Sequence, residues 1–161
     1  MAFNDMRDYI QHLKDKGQLI DVNTELNVAR ETTELQPLMR HLHNIDGPAL
    51  MLNNLSGYNT QGIPVLFNPY GTRERTSMIL GEEGAFDGKV KHAKILTDPS
   101  SWLKPNCIDA SSASCKDVKI EKKDIDIGKQ LPHVWFGKEG PSYITNAIVI
   151  TKDPETGIPN T

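Results

Sequence analysis

The sequence predicts an α/β protein, with an N-terminal α/β domain followed by a shorter, β-rich segment. Three observations predict it. Apolar residues alternate between helical spacing and short continuous runs, in the order helix, strand, helix, strand, strand, helix. A stretch of small polar residues, ending in Ser111-Ser112-Ala113-Ser114, then interrupts the pattern. Beyond it, a β-branched run from Tyr143 to Thr151 leads into a turn at Asp153-Pro154 and Gly157.

The first helix is expected from about Asn4 to Lys16. Asn4 or Asp5 can accept bonds from the free first-turn N–H groups, and Gly17 supplies a left-handed stop. Phe3, Met6, Ile10 and Leu13 recur at spacings of three and four and should form its buried stripe. Gln18 to Val22 reads as a strand. A second helix follows from about Thr33 to His43, with Thr33 and Gln36 as a capping box and Leu35, Leu38, Met39 and Leu42 facing inward. Gly47-Pro48 breaks it. Ala49-Leu50-Met51-Leu52 is a continuous apolar run suited to a strand covered on both faces. Asn53 to Gly62 reads as a polar loop and Ile63 to Phe67 as the next strand. Asn68-Pro69-Tyr70-Gly71 turns the chain into a helix from Thr72 to Leu80, stopped at Gly81.

Gly81 to Lys94, rich in glycine and charge, and Pro99 to Ser114 read as irregular. The domain boundary falls there, giving residues 1–110 and 111–161. Val118 and Ile120 alternate with Lys119 and Glu121, as in a half-buried strand, and Asp124 to Ile127 follows no single pattern. After the final turn the sequence stops three residues beyond Ile158. The expectation is a hairpin whose return strand is cut off, leaving unpaired backbone groups in an incomplete second domain.

Composition excludes several classes of function. A net charge of −3 argues against nucleic acid as the main partner, because phosphate binding needs a clustered basic face. No apolar run approaches the ~18 residues of a membrane span. Asp5, Arg7 and Asp8 interrupt any signal-peptide core, so a cytoplasmic protein is expected. Cys107 and Cys115 lack metal-ligand spacing and read as reduced thiols.

Most polar candidates have a plain structural explanation. His41 and His43 lie two apart on a helix and point in different directions, so they cannot converge on one ion. His12, His92 and His133 have no Asp, Glu or Cys at ligand spacing. Gly81-Glu82-Glu83-Gly84 would repel a phosphate rather than cradle it. Arg73-Glu74-Arg75 sits at a helix start, where the macrodipole disfavours a cation and hints at a partner. A pair with Glu74, a domain-packing contact and a substrate carboxylate are the alternatives. Asn160 offers a hard carbonyl oxygen suited to Mg²⁺ or Mn²⁺ and an NH₂ that can donate to phosphate.

Five pieces of the sequence, in order, resemble the UbiD-type decarboxylases: Phe3-Asn4-Asp5-Met6-Arg7-Asp8, Gly47-Pro48-Ala49-Leu50, Gly71-Thr72-Arg73-Glu74-Arg75, Leu131-Pro132, and Tyr143 through Gly157. The resemblance spans nearly the whole chain and implies roughly the N-terminal third of a longer protein. It implies that residues 111–161 begin a split, flavin-reductase-like β-barrel, truncated here. It implies reversible non-oxidative decarboxylation of an aromatic or α,β-unsaturated carboxylic acid. The cofactors implied are prenylated FMN with Mn²⁺ or Mg²⁺, and K⁺ as a further ion.

In that family an Asn after the turn, matching Asn160, helps bind the metal and the flavin phosphate, completed by an Arg, a His and a Glu further along. Thr145 lines the flavin pocket by the same resemblance, or is a plain strand threonine. The Glu-Arg-Glu set that handles the proton has no counterpart in this chain, so no catalytic residue is assigned. One departure is Glu139-Gly140-Pro141-Ser142, where many members carry an acidic residue and two glycines. A homo-oligomer, or a complex with another decarboxylase subunit, is the expected assembly. The rival reading is a non-catalytic accessory subunit that completes or regulates a partner chain.

Overall fold

The computed structural model describes residues 3–30, 32–57, 62–104, 106–131, 134–135, 137, 140–141 and 146–160. Helix α1, Met6–Asp15, starts where Asp5 Oδ1 accepts from the N–H groups of Arg7 at 2.7 Å and Asp8 at 3.0 Å. It ends at Gly17, whose φ of +64° no branched residue adopts cheaply. The buried stripe differs from the expected one. Tyr9 and Leu13 are its buried residues, with Phe3 and Ile10 packed around them, and Met6 is 48% exposed. Tyr9 can take this place because its hydroxyl donates to Pro69 O at 2.8 Å, satisfying the polar tip.

Three strands form the main sheet: β1, Leu19–Val22, β3, Ala49–Leu52, and β5, Val65–Phe67, in the order β1-β3-β5. β1 runs parallel to β3, from Leu19↔Ala49 to Val22↔Leu52, and β3 antiparallel to β5, from Leu50↔Phe67 to Leu52↔Val65. The parallel pair needs a long crossover, which passes through α2, Leu35–Asn44. Side chains alternate along β3 as the sequence pattern requires. Ala49 packs with Tyr9, Leu13 and Leu19 on the α1 face, while Leu50 and Leu52 pack with Val28, Leu35, Leu42 and Phe67 on the α2 face. Each fully buried leucine contributes about 1.5–3 kcal/mol of transfer free energy, so β3 is the centre of the domain.

The expected capping box at α2 is absent. Glu34 occupies the cap position without a side-chain cap bond, and its carboxylate instead accepts from Asn27 N–H at 2.7 Å. Thr33 Oγ1 accepts from Leu35 N–H at 3.2 Å and donates to Trp135 O at 2.6 Å. Two short strands, β2, Leu26–Asn27, and β4, Leu55–Ser56, pair in parallel inside stretches that read as connections.

α3, Arg73–Ile79, is capped by the Thr72 hydroxyl, which accepts from Arg75 N–H at 3.2 Å. The glycine- and charge-rich stretch after it is not irregular as expected: α4 spans Asp87–Thr97. Gly88, a poor helix former, hides this helix in the sequence and also permits it. A Cβ at 88 would lie 2.6 Å from Ser77 Cα, so α4 can meet α3 only through a glycine. Among the described residues, no helix is long and apolar enough to cross a membrane.

The C-terminal half departs further. Val118 to Glu121 is not a strand, and Val118 is 79% exposed; alternation without a partner strand does not make a ladder. α5, Ile127–Gln130, forms where the pattern was mixed. Val134 returns to the core and packs in the α2 cluster. The final hairpin does have a return: β6, Thr151–Lys152, pairs antiparallel with β7, Pro159–Asn160. The β-branched run before it joins no sheet between Ala147 and Ile150, and Tyr143 to Thr145 lie outside the described residues. The described strands form one three-stranded and two two-stranded sheets rather than a barrel.

Candidate functional site

The hairpin that carries Asn160 is built around Asp153. Its Oδ1 accepts from Glu155 N–H at 2.9 Å, Thr156 N–H at 2.6 Å and the Thr156 hydroxyl at 2.8 Å. These bonds, the Thr156 N–H foremost, hold the carboxyl below the usual aspartate range. The backbone closes the same turn, with Gly157 N–H donating to Asp153 O and Asp153 N–H to Ile158 O, both at 2.9 Å. Asn160 then lies directly opposite Thr151, whose hydroxyl donates to Asn160 O at 3.3 Å. Thr151, Lys152, Asp153, Thr156, Ile158 and Asn160 line an open cleft of about 400 Å³.

The chemistry of this donor set fits one part of a metal and phosphate site. Asn160 is exposed and supplies a carbonyl oxygen and an NH₂, and Lys152 adds a cation suited to an anionic group. Divalent cations of this kind take six or more oxygens, several of them charged. Among the described residues no group of three or more His, Cys, Asp or Glu could hold an ion. Asn160 is therefore at most one ligand among several. Thr145, the other residue expected at the flavin, lies outside the described residues.

The remaining polar candidates resolve into structure. His41 and His43 are exposed in the last turn of α2. His12 packs against the Phe3 ring at 5.2 Å, and His92 is exposed on α4; His133 is outside the described residues. Cys107 and Cys115 are free and exposed. In the Gly81–Gly84 loop, Glu82 pairs with Lys91 at 2.9 Å and Glu83 with Lys16 at 3.4 Å, which places carboxylates where a phosphate would have to sit.

The two arginines of the 73–75 motif separate. The Arg73 guanidinium lies 4.9 Å from the centre of the Phe86 ring, at the edge of a cleft of about 780 Å³ that Gln18, His43, Asp46 and Glu74 also line. Arg75 is fully buried. It donates to Gly47 O at 2.8 Å and Gln18 Oε1 at 3.1 Å, so its partners are neutral oxygens rather than Glu74. For Arg75 the pair with Glu74 is not formed, and its bonds instead tie α3 to the residues just before β1 and β3. Burial lowers its pKa, while Tyr9, Glu74 and Asp46 act in the opposite direction. The Asn68 amide donates to the same Gly47 carbonyl at 3.2 Å and to Pro48 O at 3.0 Å. Sequence reasoning missed this junction; the only signal was an arginine placed against the helix dipole.

The fold is a layered α/β domain followed by a second segment that ends in this hairpin. Residues 10–89 match the model of the 3-octaprenyl-4-hydroxybenzoate carboxy-lyase N-terminal domain, and residues 106–161 match that of the 3-octaprenyl-4-hydroxybenzoate carboxy-lyase Rift-related domain. The chain belongs to this family, the UbiD family. An uncharacterized protein of Aquifex aeolicus is 33% identical over 172 residues, covering 98% of this chain and 35% of that protein. One of Archaeoglobus fulgidus is 31% identical over 175 residues, covering 98% and 34%. Among solved structures, Sedimentibacter hydroxybenzoicus vanillic acid decarboxylase in closed form superposes with a TM-score of 0.76 at 27% identity, covering 95% of this chain and 32% of that one. Its open form with truncated ShVdcD gives 0.76 at 26% identity, covering 96% and 33%. The chain thus spans about a third of the length of these relatives.

Proposed function

We propose that this chain contributes the N-terminal α/β domain and the start of the flavin-binding barrel to a decarboxylase acting on an aromatic or α,β-unsaturated carboxylic acid. Its organisation is then residues 1–110 and 111–161, in a cytoplasmic enzyme. The observation that carries this reading is the superposition of nearly all of the chain on vanillic acid decarboxylase, in two structures, at a TM-score of 0.76. Prenylated FMN, when bound, supplies the electron sink for loss of CO₂. Asn160 would be one of the residues holding Mn²⁺ or Mg²⁺ and the flavin phosphate, with K⁺ as a further ion, and Thr145 would face the flavin. Lys152, in the same cleft, would add to the anion's electrostatic stabilisation. Proton transfer falls to residues that this chain does not supply, so the 161 residues alone should be inactive.

A second reading, an accessory subunit completed by a partner chain, is favoured by one observation. Ile148, Val149 and Ile150 are 82%, 66% and 75% exposed, on both faces of the run, and need covering from outside the described fold. The vanillic acid decarboxylase structures carry the name ShVdcCD, and one contains a truncated ShVdcD. Either a homo-oligomer or such a mixed complex would supply the cover. The test is CO₂ release, or exchange of labelled CO₂, from a panel of such acids. The protein used is extended to the length of its relatives and loaded with prenylated FMN and Mn²⁺. Turnover that requires both the extension and the flavin supports the enzyme; no turnover with any acid rejects it.

A further inference from the structure

We propose that Asp153 is the positioning residue for Asn160, an inference that rests on the reading of Asn160 as a cofactor-site ligand. Three donors converge on one Asp153 oxygen, all from the two residues that begin the return of the chain, Glu155 and Thr156. The Thr156 hydroxyl does double duty, since it also accepts from Ile158 N–H at 3.4 Å. The carboxylate therefore fixes the path of the chain from Glu155 to Ile158, and the next two residues are β7. A two-residue ladder adds little of its own, so the register that sets Asn160 opposite Thr151 comes from the turn.

The geometry also gives the clamp a charge dependence. Hydrogen bonds to an ionised acceptor are roughly twice as strong as neutral ones, and Asp153 is exposed and free to titrate. Among the described residues the charged groups around it are Lys152 on β6 and Glu155 in the turn, and β7 brings none. A carboxyl held below its ordinary value of 3.8 stabilises the turn above that pH and loses the effect as pH falls through the bound value. Protonation would release Asn160 without disturbing the distant core. The site's ligand is thus set by a residue that does not touch the ligand.

The test is ¹H–¹⁵N NMR on the full 161-residue chain, reading the cross-strand contact between Thr151 and Asn160 against the Leu50–Phe67 contact of the core as an internal reference. Asp153→Ala should abolish the Thr151–Asn160 contact and leave the reference intact. Asp153→Asn, which keeps an acceptor oxygen without the charge, should weaken it to the level of the protonated wild type. On acidification the wild-type contact should fade, while that of Asp153→Asn should not follow the same titration. An unchanged contact in Asp153→Ala, or identical acid titrations of wild type and Asp153→Asn, would overturn the proposal. Neither measurement involves flavin or metal, so the clamp and the cofactor reading can fail independently.

Discussion

Arg75 Nη2 donates to the carbonyl of Gly47 at 2.8 Å, joining the start of α3 to the turn that leads into the central strand β3. The guanidinium's second arm reaches Gln18, immediately before β1, so one fully buried side chain ties three elements together. A planar fork can do this, whereas a lysine ammonium presents one compact point of charge on a flexible stem. Each hydrogen bond from a charged donor contributes about 1.5–3 kcal/mol. Arg75→Lys should therefore lower stability by about 1.5–3 kcal/mol in urea unfolding, with an unchanged m-value. A loss below about 0.5 kcal/mol, the range of a neutral surface change, would show that the junction is dispensable.

Tyr9 shares that junction, since its hydroxyl bonds Pro69 O and approaches the Arg75 carbonyl at 3.4 Å. Burial raises its phenol from the ordinary 10.0 to about 12, with Arg75 opposing the shift. The folded state therefore binds the proton more tightly than the unfolded state. Its contribution is complete below pH 10.0 and is lost as pH rises toward about 12. The wild type should lose stability more steeply than Tyr9→Phe across that window, as read by chemical denaturation at a series of pH values. Parallel curves would mean that the phenol titrates normally.

Much of the α/β domain was legible in the sequence, and the reason is local. Asp5, Thr72 and Gly17 carry start and stop signals that act over one turn, and β3 is apolar throughout because helices cover both of its faces. The spacing alone places Met6 in the core, because it cannot say that Tyr9, with a polar tip, has a buried acceptor waiting. α4 escaped because Gly88 reads as a breaker, while its role is set by Ser77 on another helix. β2 and β4 are too short to show a period. For the site, the Asp153 turn was plain from residue type, but Arg75's partners are a glycine carbonyl and a distant glutamine, which no motif announces.

The run from Ala147 to Ile150 has strand composition but no ladder partner in the described chain, whereas β3 is paired on both sides. Composition alone does not protect amides; hydrogen bonds and burial do. Amide exchange should therefore be fast across 147–150 and slow across Leu50 to Leu52. Equal protection of the two segments would show that another copy or another chain covers the run.

Flavin mononucleotide is held through its phosphate, and a metal-assisted phosphate site takes several charges or oriented donors together. The described residues offer Asn160 and Lys152 in one open cleft and no cluster of acidic or histidine ligands. Ordering two exposed side chains costs on the order of 1–3 kcal/mol, about what the bonds gained return, so the net affinity should be negligible. The 161-residue chain should purify colourless and show no saturable uptake of ordinary or prenylated FMN at micromolar concentrations, with or without Mn²⁺. In a protein extended to the length of its relatives flavin should be retained, and Asn160→Ala should weaken that retention by roughly tenfold, the equivalent of one charge-assisted bond. A yellow, stoichiometric preparation of the short chain would mean that residues assigned here to scaffold form a complete site. Full retention in the extended Asn160→Ala variant would remove Asn160 from the site altogether.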